Sequence, residues 1–223
     1  MVDPINFTNY NRTDNELQEV LIFGLLVAGK NALTTSRLLD ALLRDFSHIG
    51  DSPFEIVRRF ELDRLPKLST VLKDYGFGCY NMKAKGLYEL VRSGVNLRTC
   101  TADDLEKIRG IGPKTANLFL MHTRKAYRGC CIDTHILKFL KEKGYDVPKS
   151  TPTGRKYKQI EKIFLTICDA MSMSPADLDL KVWRYYSGHS SDCSFLNYQL
   201  PKAVVSFPDS NNIENRHNCR MIG

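Results

Sequence analysis

Apolar positions recur every three or four residues from about residue 17 to residue 185, with polar residues in the intervals. That spacing gives a run of helices one apolar face each. Leu17, Val20, Leu21 and Leu25 form the first stripe, with Asp14 expected as its cap and Gly29 as its stop. Leu38, Leu39, Leu42, Leu43 and Phe46 form the second, entered from the loop GKNALTT. Ser52-Pro53 opens a short helix reaching about Phe60, and Asp63 is expected to cap another carrying Leu65, Leu68, Val71 and Leu72. After the turn Gly76-Phe77-Gly78, Asn81 starts a helix that turns Met82, Leu87, Leu90 and Val91 inward and stops at Gly94. Thr101 and Asp104 are spaced as a capping box for a short helix finished by Leu105 and Ile108. Gly110-Ile111-Gly112 breaks that helix, and Pro113 sits at the first position of the next, where no N–H partner is needed. Asp133 then opens a helix bearing Ile136, Leu137 and Leu140, stopped at Gly144. Ile160, Ile163, Phe164 and Ile167 predict a helix over 156–171. Ser174, Pro175 and Asp177 start a last one, with Leu178, Val182 and Tyr185 along its apolar side and Gly188 closing it. Residues 1–13 are polar and read as a loosely held lead-in. Beyond residue 189 there is no period, and Ala203–Phe207 is the one segment with strand character. The pattern is all-α.

Composition fits a globular chain: 223 residues, 43% hydrophobic and 26% charged. The net charge of +7 points to a polyanionic partner, and its distribution sharpens that reading. Between Lys107 and Lys143 there are nine Lys/Arg against two acids, an excess equal to that of the whole chain. Seven cysteines, at 79, 100, 130, 131, 168, 193 and 219, contain no CxxC spacing, so no zinc site is expected. The polar start lacks the basic and apolar regions of a signal peptide, and the longest apolar run, Val20 to Ala28, is too short to span a bilayer. An intracellular, reduced protein with no membrane association is the expectation.

The basic excess surrounds the Gly-Ile-Gly turn. Glycines there allow positive φ and a close backbone approach, and the helix that follows offers free amides at its N-terminus, a natural phosphate site. Lys114 stands in its first turn. On pattern alone Lys114 reads equally as a surface lysine on a phosphate, and Asp133 as an N-cap; both readings leave room for chemistry.

GIGPKTAN followed by IDTH resembles the helix-hairpin-helix DNA glycosylase superfamily, and within it the endonuclease III branch. Tyr80-Asn81-Met82-Lys83-Ala84 matches a further pattern of that superfamily ahead of the hairpin. The strong match covers roughly a sixth of the chain, and weaker similarity runs from about residue 17 to 188. The resemblance implies a two-lobed all-α fold. One lobe of six helices would span 18–128 and hold the hairpin at about 101–126. The other would join 1–17 to 129–223 and carry the aspartate. It implies Lys114 as nucleophile and Asp133 as its carboxylate partner, with DNA backbone held at Arg109, Gly110, Ile111, Gly112 and Thr115. A monovalent cation bound to the hairpin backbone at Gly110 and Gly112 would assist. The loop after the first helix would feed a side chain into the DNA stack. Endonuclease III has Ala-Gln-Ala-Thr-Asp there; this chain has Ala28-Gly29-Lys30-Asn31-Ala32, which leaves Lys30 or Asn31 for the task, or an ordinary capped turn. Trp183, Tyr185 and Tyr186 are candidates for the base pocket by analogy, Trp183 reading more readily as core. The four-cysteine pattern that holds an iron–sulfur cluster in many members is missing: in that region stand Cys193 and Cys219 alone. No cofactor is expected. This departure points towards cluster-free 8-oxoguanine glycosylases, while Gly-Pro-Lys-Thr-Ala-Asn points to the pyrimidine-lesion branch.

The implied chemistry is cleavage of a C1′–N bond through a transition state with positive charge on the sugar. A carboxylate near C1′ stabilises that charge and can take a proton. A neutral amine attacking C1′ forms a Schiff base, and β-elimination then nicks the strand. The expected protein is therefore a monomeric, bifunctional base-excision enzyme with AP lyase activity, acting on double-stranded DNA that carries a damaged base, an oxidised pyrimidine or 8-oxoguanine, or an abasic site. The rivals are a lyase confined to abasic sites, a member adapted to a modified base, and a non-catalytic hairpin module that binds DNA.

Overall fold

A computed structural model describes residues 1–62 and 65–198, and the described residues are helical. In chain order the helices are α1 (Asp14–Leu26), α2 (Ala32–Phe46), α3 (Pro53–Leu62), α4 (Leu68–Asp74) and α5 (Tyr80–Arg92). They continue with α6 (Ala102–Glu106), α7 (Pro113–Thr123), α8 (Thr134–Glu142), α9 (Gly154–Ala170) and α10 (Pro175–Tyr186). Ala203–Phe207, the expected strand, lies outside the described residues.

Two apolar cores hold these helices. The first is built on α1, which is buried nearly all round: Val20, Leu21, Ile22, Leu25 and Leu26 are each 2% exposed or less. A helix with so little polar surface belongs inside a bundle. α2, α3, α5 and α7 pack on it. At Gly24 the missing side chain lets α7 come close, since a Cβ there would lie 3.2 Å from Thr115 Cγ2. The second core joins α8, α9 and α10, with Phe139, Phe164, Ile167 and Leu178 fully buried.

Several expected boundaries shift by a residue, for local reasons. Thr13, not Asp14, caps α1 through a capping box with Glu16. α4 starts after Lys67, so the expected cap at Asp63, which lies outside the described residues, does not begin it. α5 starts at Tyr80, after Cys79 in the left-handed region (φ 56°). Thr101 with Asp104, Asp133 and Ser174 cap α6, α8 and α10 as expected.

The N-terminal segment corrects a larger expectation. It is not loosely held: Val2 and Phe7 are buried in the first core. Val2 N–H donates to Glu19 at 3.0 Å on α1, and Arg184 on α10 donates to the Ile5 carbonyl at 2.7 Å. The segment thus straps the two cores together across one face. At the other end, a short 3₁₀ turn at Ser194–Leu196 buries Phe195 in the second core, where no element was expected. A single anchored aromatic carries no period and escapes pattern reading.

The hairpin turn is seated by α5. A Cβ on Gly86 would lie 2.5 Å from the carbonyl oxygen of Arg109, a backbone atom that cannot swing aside. Gly86→Ala is therefore expected to push the turn off α5, costing about 1–3 kcal/mol of stability and weakening duplex binding. Denaturant unfolding with a fluorescence-anisotropy titration checks both; wild-type values for each would refute the close-packing account.

Candidate active site

Asp133 closes the connector between α7 and α8 and caps α8 with one oxygen. Oδ1 accepts from the backbone N–H of His135 at 2.9 Å and Ile136 at 2.8 Å. Oδ2 has no hydrogen-bond partner among the described residues, so capping and chemistry use different atoms of one carboxylate. The two sequence readings of this residue coexist. Lys114, the second residue of α7, is half-buried, and among the described residues its ammonium makes no hydrogen bond or ion pair. Both line a cleft of about 580 Å³ between the cores. Phe7, Leu118, His122 and Trp183 line it as well, and Lys30 and Asn31 stand at its rim. Cys131, buried beside the pair, is held as a thiol by burial, which raises its pKa well above normal, with Asp179 acting in the same direction and Lys114 against it.

What fixes the chain leading into Asp133 is a buried hydrogen-bond set that sequence reading missed. Tyr157, 1% exposed on α9, donates from its hydroxyl to the Cys130 carbonyl at 2.5 Å and accepts from Ile132 N–H at 3.3 Å. Ile132 directly precedes Asp133. The same hydroxyl accepts from Asn117 Nδ2 at 3.4 Å, and that amide nitrogen also donates to the Pro113 carbonyl at 2.8 Å. Tyr127 donates to Asn117 Oδ1 at 2.7 Å. Gly129 lets the connector pass, because a Cβ there would lie 2.0 Å from Asn117 Oδ1. The first turn of α7 and the approach to Asp133 are therefore fixed to one phenol. Asn117 sits in the Gly-Pro-Lys-Thr-Ala-Asn motif, so half of this set carried a sequence signal; Tyr157 had none.

The remaining expected residues divide. Gly110 takes φ +84° and Gly112 caps α7 in extended backbone, leaving no side chain over the hairpin's amide face. Ile111 is 3% exposed and Thr115 7% exposed, so their side chains pack inward, Thr115 against Gly24 of α1, and a DNA contact at either residue is left to its backbone. Arg109 is exposed and pairs loosely with Glu89 at 3.4 Å. Asn31 spends its side chain on capping α2, accepting from Thr34 N–H at 2.9 Å, whereas Lys30 lies across Gly78, where a Cβ would lie 2.4 Å from its ammonium. Of the two stack-filling candidates, Lys30 has a headgroup with no hydrogen bond or ion pair among the described residues. Lys83, buried on α5, donates to the Leu26 carbonyl at 2.6 Å and so ties down the end of α1 from which this loop leaves. Trp183 faces the cleft, but Tyr185 and Tyr186 do not. Tyr185 packs on Phe195, while the Tyr186 hydroxyl bonds Glu142 at 2.6 Å.

Comparison with known proteins settles the family. The family described as 8-oxoguanine DNA glycosylase matches residues 5–173. The chain belongs to that family. Among curated proteins, the 8-oxoguanine DNA glycosylase/AP lyase of Methanocaldococcus jannaschii is 28% identical over 190 residues, covering 80% of this chain and 84% of the relative. A crystal structure of the enzyme from that organism, in complex with a 15mer DNA containing 8-oxoguanine, superposes with a TM-score of 0.61 at 27% identity, over 80% of this chain and 84% of the other. The 8-oxoguanine DNA glycosylase of Thermotoga maritima shares the fold, with a TM-score of 0.61 at 23% identity over 80% of this chain and 82% of its own. The helix-hairpin-helix superfamily expected from the hairpin is thus the one found, in its 8-oxoguanine branch instead of the endonuclease III branch that the motif resembles. Among the described residues there is no group of three or more His, Cys, Asp or Glu placed to hold a metal ion, and no helix long and apolar enough to cross a membrane.

For an 8-oxoguanine glycosylase fold the phenol of Tyr157 is a positioning group. Tyr157→Phe leaves the buried Ile132 N–H unpaired and is expected to cost about 1–3 kcal/mol, with a slower single-turnover rate from the displaced Asp133. Urea unfolding and rapid-quench kinetics would show it. A variant as stable and as fast as the wild type would remove the phenol from that role.

Proposed function

We propose that this chain removes 8-oxoguanine from double-stranded DNA and nicks the strand as a bifunctional glycosylase and AP lyase. The observation that carries the reading is the pairing in one cleft of an unpaired lysine at a helix N-terminus with a carboxylate that keeps one oxygen free. The neutral Lys114 amine attacks C1′ as the C1′–N bond breaks, and the base departs with the bonding electrons as an anion that water protonates. Asp133 Oδ2 stabilises the positive charge on the sugar and receives the proton that the attacking amine sheds. Sugar-ring opening gives a Schiff base on Lys114. Loss of the 2′ proton then expels the 3′ phosphate by β-elimination.

The same reading assigns the rest of the cleft. The amides of Gly110, Ile111 and Gly112 hold a backbone phosphate, directly or through a monovalent cation on the hairpin carbonyls, and Arg109 adds charge beside them. Lys30 enters the stack where the base has left it. The DNA crosses between the lobe built on the first core and the lobe of residue 129 onward, with residues 1–17 strapped across both, and one chain suffices for the whole site. Support for 8-oxoguanine over an oxidised pyrimidine comes from the family match and from the relative crystallised with that lesion.

Borohydride trapping on duplexes carrying 8-oxoguanine, an oxidised pyrimidine, an abasic site or no lesion tests this. The expected result is a covalent adduct with the 8-oxoguanine and abasic duplexes that is abolished in Lys114→Ala. Excision should fall at least about 100-fold in Asp133→Asn, the scale of a lost charge-stabilising group. Trapping confined to the abasic duplex would reduce the protein to a lyase. Duplex binding without any adduct would leave a binding module.

A further inference from the structure

The loop that carries Lys30 is fixed along its backbone by the protein itself. Lys30 N–H donates to the Val27 carbonyl at 2.9 Å, which closes a turn off the end of α1, and Gly29 takes φ +69° inside that turn. Asn31 follows at once as the cap of α2, and the Lys83 ammonium holds the Leu26 carbonyl on the other side. What the backbone leaves undetermined is the path of the Lys30 side chain. Lysine is among the side chains that lose most rotamer freedom when they are held.

The turn between α4 and α5 settles that path. It is a firm support: Phe77, 2% exposed, donates its N–H to the Leu72 carbonyl at 2.9 Å, and the Cys79 carbonyl accepts from the N–H groups of Met82 and Lys83 at 3.0 Å each. The end of Lys30 lies on this turn at Gly78, where a Cβ would sit 2.4 Å from both Cε and Nζ and 3.9 Å from Cδ. Gly78 does not have positive φ, so its backbone would accept any residue. What the glycine supplies is the open space above its Cα. Lys83 acts from the side of α5. Burial lowers its pKa, Cys79 raises it and Lys30 lowers it, so the two ammoniums feel each other. Like charge works against Lys30 folding back towards α5. With its end on Gly78, Lys30 stands at the rim of the cleft.

We infer that Gly78 is a positioning residue for Lys30. Its open face is a slot that holds the end of the lysine in place ahead of DNA binding, so that little side-chain freedom remains to be lost when the ammonium enters the stack. This rests on the reading above that Lys30 fills the place left by the extruded base. Gly78 itself touches neither base nor sugar.

The far end of a lysine is flexible, so an alanine at this position is expected to move Lys30 and leave the fold alone. Gly78→Ala should unfold in urea at the wild-type midpoint. Function is read as a ratio: single-turnover excision from an 8-oxoguanine duplex, divided by borohydride trapping on an abasic duplex, which offers no base to draw out. In Gly78→Ala that ratio should fall about 2- to 10-fold, the scale set by the freedom of one long side chain. Lys30→Ala should lower it at least as far. Adding Gly78→Ala to Lys30→Ala should then change nothing further, because the slot has nothing left to hold. A wild-type ratio in Gly78→Ala overturns the inference. So does a Gly78→Ala loss that persists with Lys30 already removed, or one that comes with a lowered unfolding midpoint, since either would make the glycine a structural requirement only. A wild-type ratio in Lys30→Ala, or no 8-oxoguanine excision by the wild type, would instead strike the reading above, and the inference would fall with it.

Discussion

The buried hydroxyl of Tyr157 is the joint on which the site depends. Lys114 and Asp133 belong to helices packed in different cores, and a connector of nine residues, 124–132, runs between α7 and Asp133. A free connector of that length would leave the carboxylate with no fixed relation to the amine. The phenol removes that freedom by bonding the connector at Cys130 and Ile132 and, through Asn117, the first turn of α7. All of these groups are buried, so each bond broken would expose an unpaired polar atom to an apolar surround. That penalty, more than the modest net worth of the bonds, keeps the geometry single-valued.

The glycines complete the same constraint from the outside. Gly24 lets α7 settle on α1, Gly86 lets the hairpin turn settle on α5, and Gly129 lets the connector pass Asn117. Each works by having no Cβ where a neighbour comes close, and at none of the three is positive φ the reason. Lys83 acts on the opposite rim, where its buried ammonium satisfies the Leu26 carbonyl at the free end of α1 and steadies the loop bearing Lys30.

The helices and the two residues of the proposed chemistry, Lys114 and Asp133, were legible in the sequence because their signals are local. A stripe of leucines, Thr101 three residues before Asp104, and Asp133 ahead of an apolar helix each reveal themselves within one or two turns. Cleft walls do not. Phe7, His122 and Asp179 come together from three distant parts of the chain, His122 and Asp179 being 57 residues apart, and none stands in a periodic run that marks it as site-facing. Polar residues 1–13 looked unattached for the same reason: what holds them are backbone carbonyls taken by Ser36 and Arg184 and two apolar side chains too far apart to form a stripe. Trp183 against Tyr185 and Tyr186 shows the limit of helical position. They are close neighbours on one helix, yet the 3.6-residue turn sends Trp183 to the cleft and the tyrosines to the second core and its surface.

The basic stretch from Lys107 to Lys143 gains a physical role from how its charges are paired. Lys107 pairs with Asp104 at 3.1 Å, Arg109 with Glu89 at 3.4 Å and Arg128 with Asp169 at 2.5 Å, and all six side chains are at least 43% exposed. Exposed pairs of this kind contribute little to stability. Exchanging them for phosphate contacts, as the proposed DNA binding requires, would therefore cost little, and each exchange would release counterions from the DNA. Lys114 lines the cleft and, among the described residues, has no ion-pair partner to give up. On the proposed reading, surface cations meet the duplex through replaceable pairs, while the Lys114 amine in the cleft is left for the sugar.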